Sequence, residues 1–358
     1  MDIRRLGVLA AAFMLLFFAS CGSEEEEPEP EVTPVVAEAT PEPTPEPEPE
    51  DLGPARNPLT GVYTEEDISH MRPWAILLDN ARVALPQGGI GQADLIYEMP
   101  VEGGITRVLL LFQDIYGVGE IGPVRSTRHY FIDVVQAHDA IFVHAGGSPQ
   151  GYEAIRSRGI DNMDGVGGTG RTFYRDPDRS RRAGMEHSMM TTPELLLDFI
   201  DVYGFRQEHE SGFRHSFAFA EDGTPQGGQQ ANEVSVTFSN AKTGIFAFDP
   251  QTGLYYVSQY GSPHIDGNTE EQIAVTNVLV LFADFRVIDN EGRLNVDLNL
   301  GGRGYYISGG QAVSITWEKD GHAAPFFFFL EDGSPLEMNV GTSYINIVNI
   351  NTGSIAFQ

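Results

Sequence analysis

Between Val234 and Ile347 the chain breaks into nine short apolar runs, none longer than eight residues. The first is Val234–Phe238 and the last Tyr344–Ile347. Many alternate apolar with polar residues, and turn sequences such as Asp-Gly, Asn-Glu-Gly and Gly-Gly separate them. An alternating run of this length buries one face of a strand, not a stripe of a helix. Residues 213–358 are therefore expected to form a mostly antiparallel β domain, sandwich or barrel-like.

The part before it reads differently. Trp74–Leu78, Ala93–Met99, Thr106–Phe112 and Ala140–His144 are strand candidates, while Tyr130, Val134 and Ala137 share one face of a helix over Arg128–Ala137. Ser148-Pro149 opens a second helix through Arg156, with Ser as cap and Pro at the first position. Thr192-Pro193-Glu194 opens a third, ending near Tyr203. Gly159–Ala183, rich in Gly, Asp and Arg, reads as a loop. Residues 55–212 thus predict an α+β or α/β domain with a mixed sheet.

The start of the chain is of another kind. Residues 1–20 carry Arg4 and Arg5 before the apolar run Leu6–Phe18, as an export signal does. Phe18-Ala19-Ser20-Cys21 is similar to a bacterial lipobox, so Cys21 is the expected lipidation site. It is the sole cysteine, and no intramolecular disulfide can hold the fold. Residues 21–54 are Glu, Pro and Thr in repeats that cannot bury apolar surface, so they predict an extended acidic tether. The expectation is an exported protein, lipid-anchored to the outer face of the cell membrane.

Charge narrows the partners. The net charge is −29. With +1 on residues 1–20 and −12 on residues 21–51, residues 52–358 carry −18, which argues against nucleic acid. Only Lys242 and Lys319 are lysines, whereas twelve of twenty arginines lie between Arg72 and Arg182. Arginine suits bidentate recognition of carboxylate or phosphate, although salt bridging to surplus acids explains any single one equally well.

The polar residues concentrate where apolar runs end, between Glu98 and Ser148. Candidate ligand-binding residues are Asp79, Asn80, Glu98, Glu102, Gly103, Gly104, Arg107, Arg125, Ser126, Arg128, His144, Gly146, Gly147, Ser148, Arg175 and His187. Glu98 and Glu102, four apart, would share a strand face and could pair acid with base, with His144 as a further candidate catalyst. Neutralisation by Arg107, Arg125 or Arg128 is the commoner role for such acids, and a lone His is more often structural. Gly165–Gly170 and Gly117–Gly122 fit Gly-x-Gly-x-x-Gly, but neither leads into a helix start, so no cofactor is implied. Gly147-Ser148-Pro149-Gln150 misses the nucleophile-elbow pattern, and no metal-ligand spacing is present.

Several strings together are specific. Asn57-Pro-Leu-Thr-Gly61, Arg72-Pro73, Asp79-Asn80, Ala93-Asp94-x-x-Tyr97-Glu98, Val101-Glu102-Gly-Gly-Ile-Thr-Arg107, Ile121-Gly-Pro-Val-Arg-Ser126 and His144-Ala-Gly-Gly-Ser148 resemble the YerB-like lipoproteins (domain of unknown function 3048, N- and C-terminal domains). Ala274–Val278, Gly302–Gly304 and Trp317-Glu-Lys319 fit the same family more loosely. Where that family usually has Pro-His-Asn, this chain has Glu186-His187-Ser188. The resemblance implies a lipid-anchored extracytoplasmic protein and brings no reaction with it.

Three functions remain open on the sequence. One is an envelope protein binding a cell-wall polymer, an anionic or sugar ligand, or a partner protein. The second is a glycoside or phosphodiester hydrolase using Glu98 or Glu102 with His144. The third is a structural scaffold in which arginines and acids satisfy one another.

Overall fold

A computed structural model describes residues 55–167 and 171–358. The expected signal, Cys21 and the whole tether lie outside those residues. Three strands open the fold: β1 (Trp74–Asp79), β2 (Leu95–Pro100) and β3 (Thr106–Phe112). Every residue in them is buried. Such strands have both faces covered, which is why they read as continuous apolar runs instead of alternating ones. β3 pairs antiparallel with β1 and with β2. On the far side of β1 lies β4 (Ile141–His144), parallel to it, and then β5 (Asn162–Asp164).

Helix α1 (His129–Ala137) precedes β4, and α2 (Pro149–Arg158) joins β4 to β5. Ser148 Oγ accepts the Gly151 amide at 3.0 Å, and Gly159 ends α2 at φ +63°. The stretch 159–183 is not all loop. It contains β5 and a helix, α3 (Pro177–Ala183), capped by Asp176, whose carboxylate accepts the Asp178 and Arg179 amides. No residue of α3 is buried, so it has no apolar periodicity to betray it; the Asp-Pro start was its one signal. Helix α4 (Pro193–Tyr203) follows, capped by Thr192.

Beyond residue 213 come β6 (Glu233–Ser239), β7 (Lys242–Asp249), β8 (Leu254–Gln259), β9 (Asn277–Val287), β10 (Gly302–Ser308), β11 (Gln311–Glu318), β12 (Phe327–Leu330), β13 (Ser343–Asn349) and β14 (Ser354–Phe357). Four of them form an antiparallel sheet in the order β8-β7-β6-β14. The others extend the first sheet, whose order is β12-β11-β10-β9-β13-β2-β3-β1-β4-β5. The junction is β13, parallel to β9 on one side and to β2 on the other: Tyr344 faces Val278 and Ile96. Strands from before and after residue 212 thus share one sheet.

The smaller sheet lies on one face of the large one. Val234, Val236 and Phe246 pack there with Ile96, Val108, Val278 and Tyr344, and the Phe246 and Tyr344 rings meet edge-on at 5.1 Å. The other face carries α1 and α2, with Phe131, Val135 and Ile155 against Tyr97, Leu109 and Leu111. The large sheet is mixed and the second half mostly antiparallel, as expected. No described helix is long and apolar enough to cross a membrane.

Candidate functional site

The end of β1, the end of β2 and the start of β3 lie side by side, with Asp79 opposite Arg107 and Pro100 opposite Thr106. Side chains alternate across a sheet. Asn80, Glu98 and Thr106 therefore point to the smaller sheet, and Asp79 and Arg107 to the helical side. The sequence candidates divide between two clusters.

The first cluster is sealed. Glu98 is 1% exposed, and its Oε1 lies 3.0 Å from Lys242 Nζ on β7. That oxygen also accepts from Thr106 Oγ1 at 2.5 Å and Asn80 Nδ2 at 2.9 Å, while Oε2 accepts from the Tyr344 hydroxyl at 2.6 Å. Lys242 donates in addition to Gln259 Oε1. Asn80 Oδ1 accepts from Gln87 and Gln259, each at 2.9 Å, and Tyr260 donates to the Asn80 carbonyl. His264 donates to Gln87 Oε1 at 2.7 Å. Burial pushes the Lys242 ammonium below its ordinary value, and the Glu98 charge opposes that shift. Burial, with the nearby Lys242 charge, brings His264 down to about 3. Glu98 is sealed from solvent with four donors around it, and its cation is a lysine, not one of the arginines expected from sequence.

The second cluster is half-open and centres on Asp79. His187 Nδ1 lies 2.6 Å from Asp79 Oδ2, and Arg125 Nε lies 3.1 Å from the same oxygen. Arg128 clasps Glu102 through two bonds of 2.7 Å. Burial would raise the Glu102 carboxyl, but the hydrogen bonds and charge of Arg128 outweigh it and hold it below its usual range. Arg107 stands between these pairs, 5% exposed. It donates to the Ser126 carbonyl, yet no described carboxylate lies within 4.0 Å of it, and its Nε is buried without any partner. Burial first, then the charges of Arg128 and Arg125, bring the Arg107 guanidinium down to about 9. Both terminal nitrogens of Arg125 also lack a hydrogen-bond acceptor among the described residues. Gly103 and Gly104 both have φ +75°, and space beside Gly103 is open.

His187 reaches this cluster through α3. Arg179 of that helix donates to the carbonyls of Ala84 at 2.9 Å and Pro86 at 2.6 Å, tying α3 to the loop after β1. The turn Met185–His187 then falls beside Asp79. Arg175 donates to the Met185 carbonyl, and Ser188 is buried and bonded to the same carbonyl at 2.8 Å.

The remaining candidates serve the fold. His144 is fully buried, stacked on Phe142 at 4.8 Å, with Nδ1 donating to the Gly146 carbonyl at 2.8 Å. Burial lowers its pKa, against the Asp164 charge. The Gly146 amide is held by Asp164 at 2.7 Å, and Ser148 caps α2. Glu98, Glu102 and His144 therefore do not face one cleft. Asn57 and Asp94 bond to each other at 2.9 Å, and Arg72 ties Asp139, Asp161 and Arg206 together. Sequence reasoning missed Lys242, Gln259, Gln87, His264 and Tyr344. The signal was Lys242 itself, one of two lysines, on the buried register of Gly244 and Phe246.

Three clefts lie elsewhere. One of about 840 Å³ runs between residues 223–229 and 330–337, and others of about 520 and 490 Å³ adjoin α2 and Arg72. None of the three is lined by the Arg107 cluster. Among the described residues no group of three or more His, Cys, Asp or Glu is arranged to hold a metal ion.

Residues 59–206 match the N-terminal domain, and residues 234–345 the C-terminal domain, of the family described as protein of unknown function DUF3048. The chain is 30% identical over 296 residues to the Bacillus subtilis (strain 168) protein named "Putative lipoprotein YerB", covering 81% of this chain and 85% of that one. The crystal structure of YerB protein from Bacillus subtilis is similar, with a TM-score of 0.73 at 28% identity, over 84% of this chain and 99% of that chain.

Proposed function

The chain belongs to the DUF3048 family, and from that premise we propose that it is an envelope lipoprotein whose Asp79–Arg128 cluster holds a singly charged anion. The name of its relative supports the lipoprotein reading, as does Cys21 at the end of the first apolar run.

The observation that carries the anion reading is Arg107. Its Nε–H is buried without an acceptor and its charge has no described carboxylate within 4.0 Å, a costly arrangement that native proteins rarely leave. Asp79 contacts Arg125 and Glu102 contacts Arg128, while Glu186 lies on an exposed side chain beside His187. That leaves Arg107 as the guanidinium with no described carboxylate within 4.0 Å, and one negative charge would match it. A carboxylate or a phosphodiester, as on cell-wall polymers and acidic peptides, meets that need and accepts from a guanidinium.

The test is thermal stabilisation and calorimetric titration of the purified protein with dimethyl phosphate and with acetate. We expect a rise in melting temperature for the native chain and none for Arg107→Met or Arg125→Ala. Absence of any shift in the native chain with either probe would sink the reading. Lipidation is tested separately by the mass of the mature N-terminus and by release of a Cys21→Ser variant from membranes.

A further inference from the structure

Asp79 and His187 give this cluster a second capability. A carboxylate oxygen only accepts, so the contact of 2.6 Å to Asp79 Oδ2 fixes the proton of a neutral His187 on Nδ1. Nε2 then carries the lone pair. Glu186 Oε1 lies 3.7 Å from it, on an exposed side chain. Arg125 Nε lies 3.1 Å from the same Asp79 oxygen, so a guanidinium shares that carboxylate with the imidazole. A carboxylate that orients an imidazole, an imidazole with an open basic nitrogen, and adjacent fixed cations are the parts of an acid–base centre for an anionic ester.

We propose that this cluster hydrolyses phosphodiesters, with His187 Nε2 as the base that activates water. The inference rests on the reading of the arginines as an anion site. Among singly charged anions, a phosphodiester carries its charge on the group that reacts. The arginines that bind it thus also meet the charge that shifts as the bond breaks. Nε2 takes one proton from water, and the water oxygen bonds to phosphorus as the P–O bond to one alcohol breaks. The departing oxygen takes the proton back from Nε2. A phosphomonoester and an alcohol leave, and His187 returns to its neutral form. Asp79 is a positioning residue that holds the tautomer and the ring.

The experiment uses the purified protein, bis(p-nitrophenyl) phosphate as substrate and EDTA to silence contaminating metal-dependent enzymes. The readout is p-nitrophenolate release, with dimethyl phosphate binding followed in parallel. His187→Asn is the informative variant, because an Asn amide can still donate to Asp79 while the base is gone. We expect release by the native chain, a loss of about 100-fold or more in His187→Asn, and unchanged binding and melting temperature in that variant. Binding of dimethyl phosphate without release by the native chain would overturn the hydrolytic proposal and leave the anion site standing. Neither binding nor release would overturn both. Equal release by the native chain and His187→Asn would overturn the role of His187.

Discussion

Replacing Lys242 by Met tests how far the sealed cluster holds the fold together. Lys242 Nζ and Glu98 Oε1 are 3.0 Å apart, and both side chains are 1% exposed. At an effective dielectric constant of about 20, charges at that separation attract by roughly 5–6 kcal/mol. Removing the lysine leaves Glu98 charged in a dry site, and measured losses for such single deletions are about 3–5 kcal/mol. It also strips a donor from Gln259 Oε1. A chain of this kind is stable by only about 5–15 kcal/mol in total, so the variant should sit near its folding threshold. Equilibrium urea unfolding at low temperature measures it. The double variant Lys242→Met with Glu98→Gln removes both charges and should recover at least about 2 kcal/mol relative to additivity. A Lys242→Met loss under about 1 kcal/mol, or strict additivity in the cycle, would refute the view that this pair is a mutually dependent unit.

Other outcomes follow from the same geometry. Arg107→Met should leave stability unchanged or raise it, because an orphaned buried cation costs more than it returns; a loss above about 2 kcal/mol in urea unfolding would show that its bond to Ser126 is structural. Glu102→Gln should cost about 1 kcal/mol, since the pair is partly exposed and the amide keeps one acceptor for Arg128, and should shift ligand preference toward dianions, read as a larger melting shift with inorganic phosphate than with dimethyl phosphate. Stability should also fall with acid. Burial holds His138 and His264 at about 3, so the unfolded chain takes up protons below the ordinary value of 6.5 that the folded chain refuses, and each costs about 1.4 kcal/mol per pH unit down to that level. Burial raises Asp94 to about 6, so it binds its proton first in the folded state and contributes the opposite sign between 6 and 3.8. These three groups together lose about 1.4 kcal/mol per unit between pH 6 and 4, burial of His144 and His215 acts in the same direction, and urea midpoints that stay level or rise over that range would contradict it.

What could be read from the sequence was whatever leaves a period or a cap. Thr106–Phe112 was identified to the residue, and Ser148 and Thr192 marked their helices because their side chains accept a free amide. Helix α3 had a cap but no apolar face, and so passed for loop. The candidate arginines were legible as a class, because so many fall in one third of an acidic chain. Their division was not. Glu98 and Glu102 look alike four residues apart, yet one ends a strand facing β7 and the other sits in a turn beside Arg128. That difference depends on which strand packs above β2, and Lys242 lies 144 positions away from Glu98 in the chain.

The position of β13 fixes when the protein can become itself. β2 has no neighbour on that side until residues 343–349 are available, because they alone fill the slot between β2 and β9. A chain made from its N-terminus therefore carries an open, apolar sheet edge from β2 until residues 343–349 have been made. The contact that closes it is among the most distant in sequence, and such pairings form slowly. β13 is thus a clasp: it joins the strands on either side of residue 212 into one sheet, and a copy stopped short of residue 343 lacks the strand that links them.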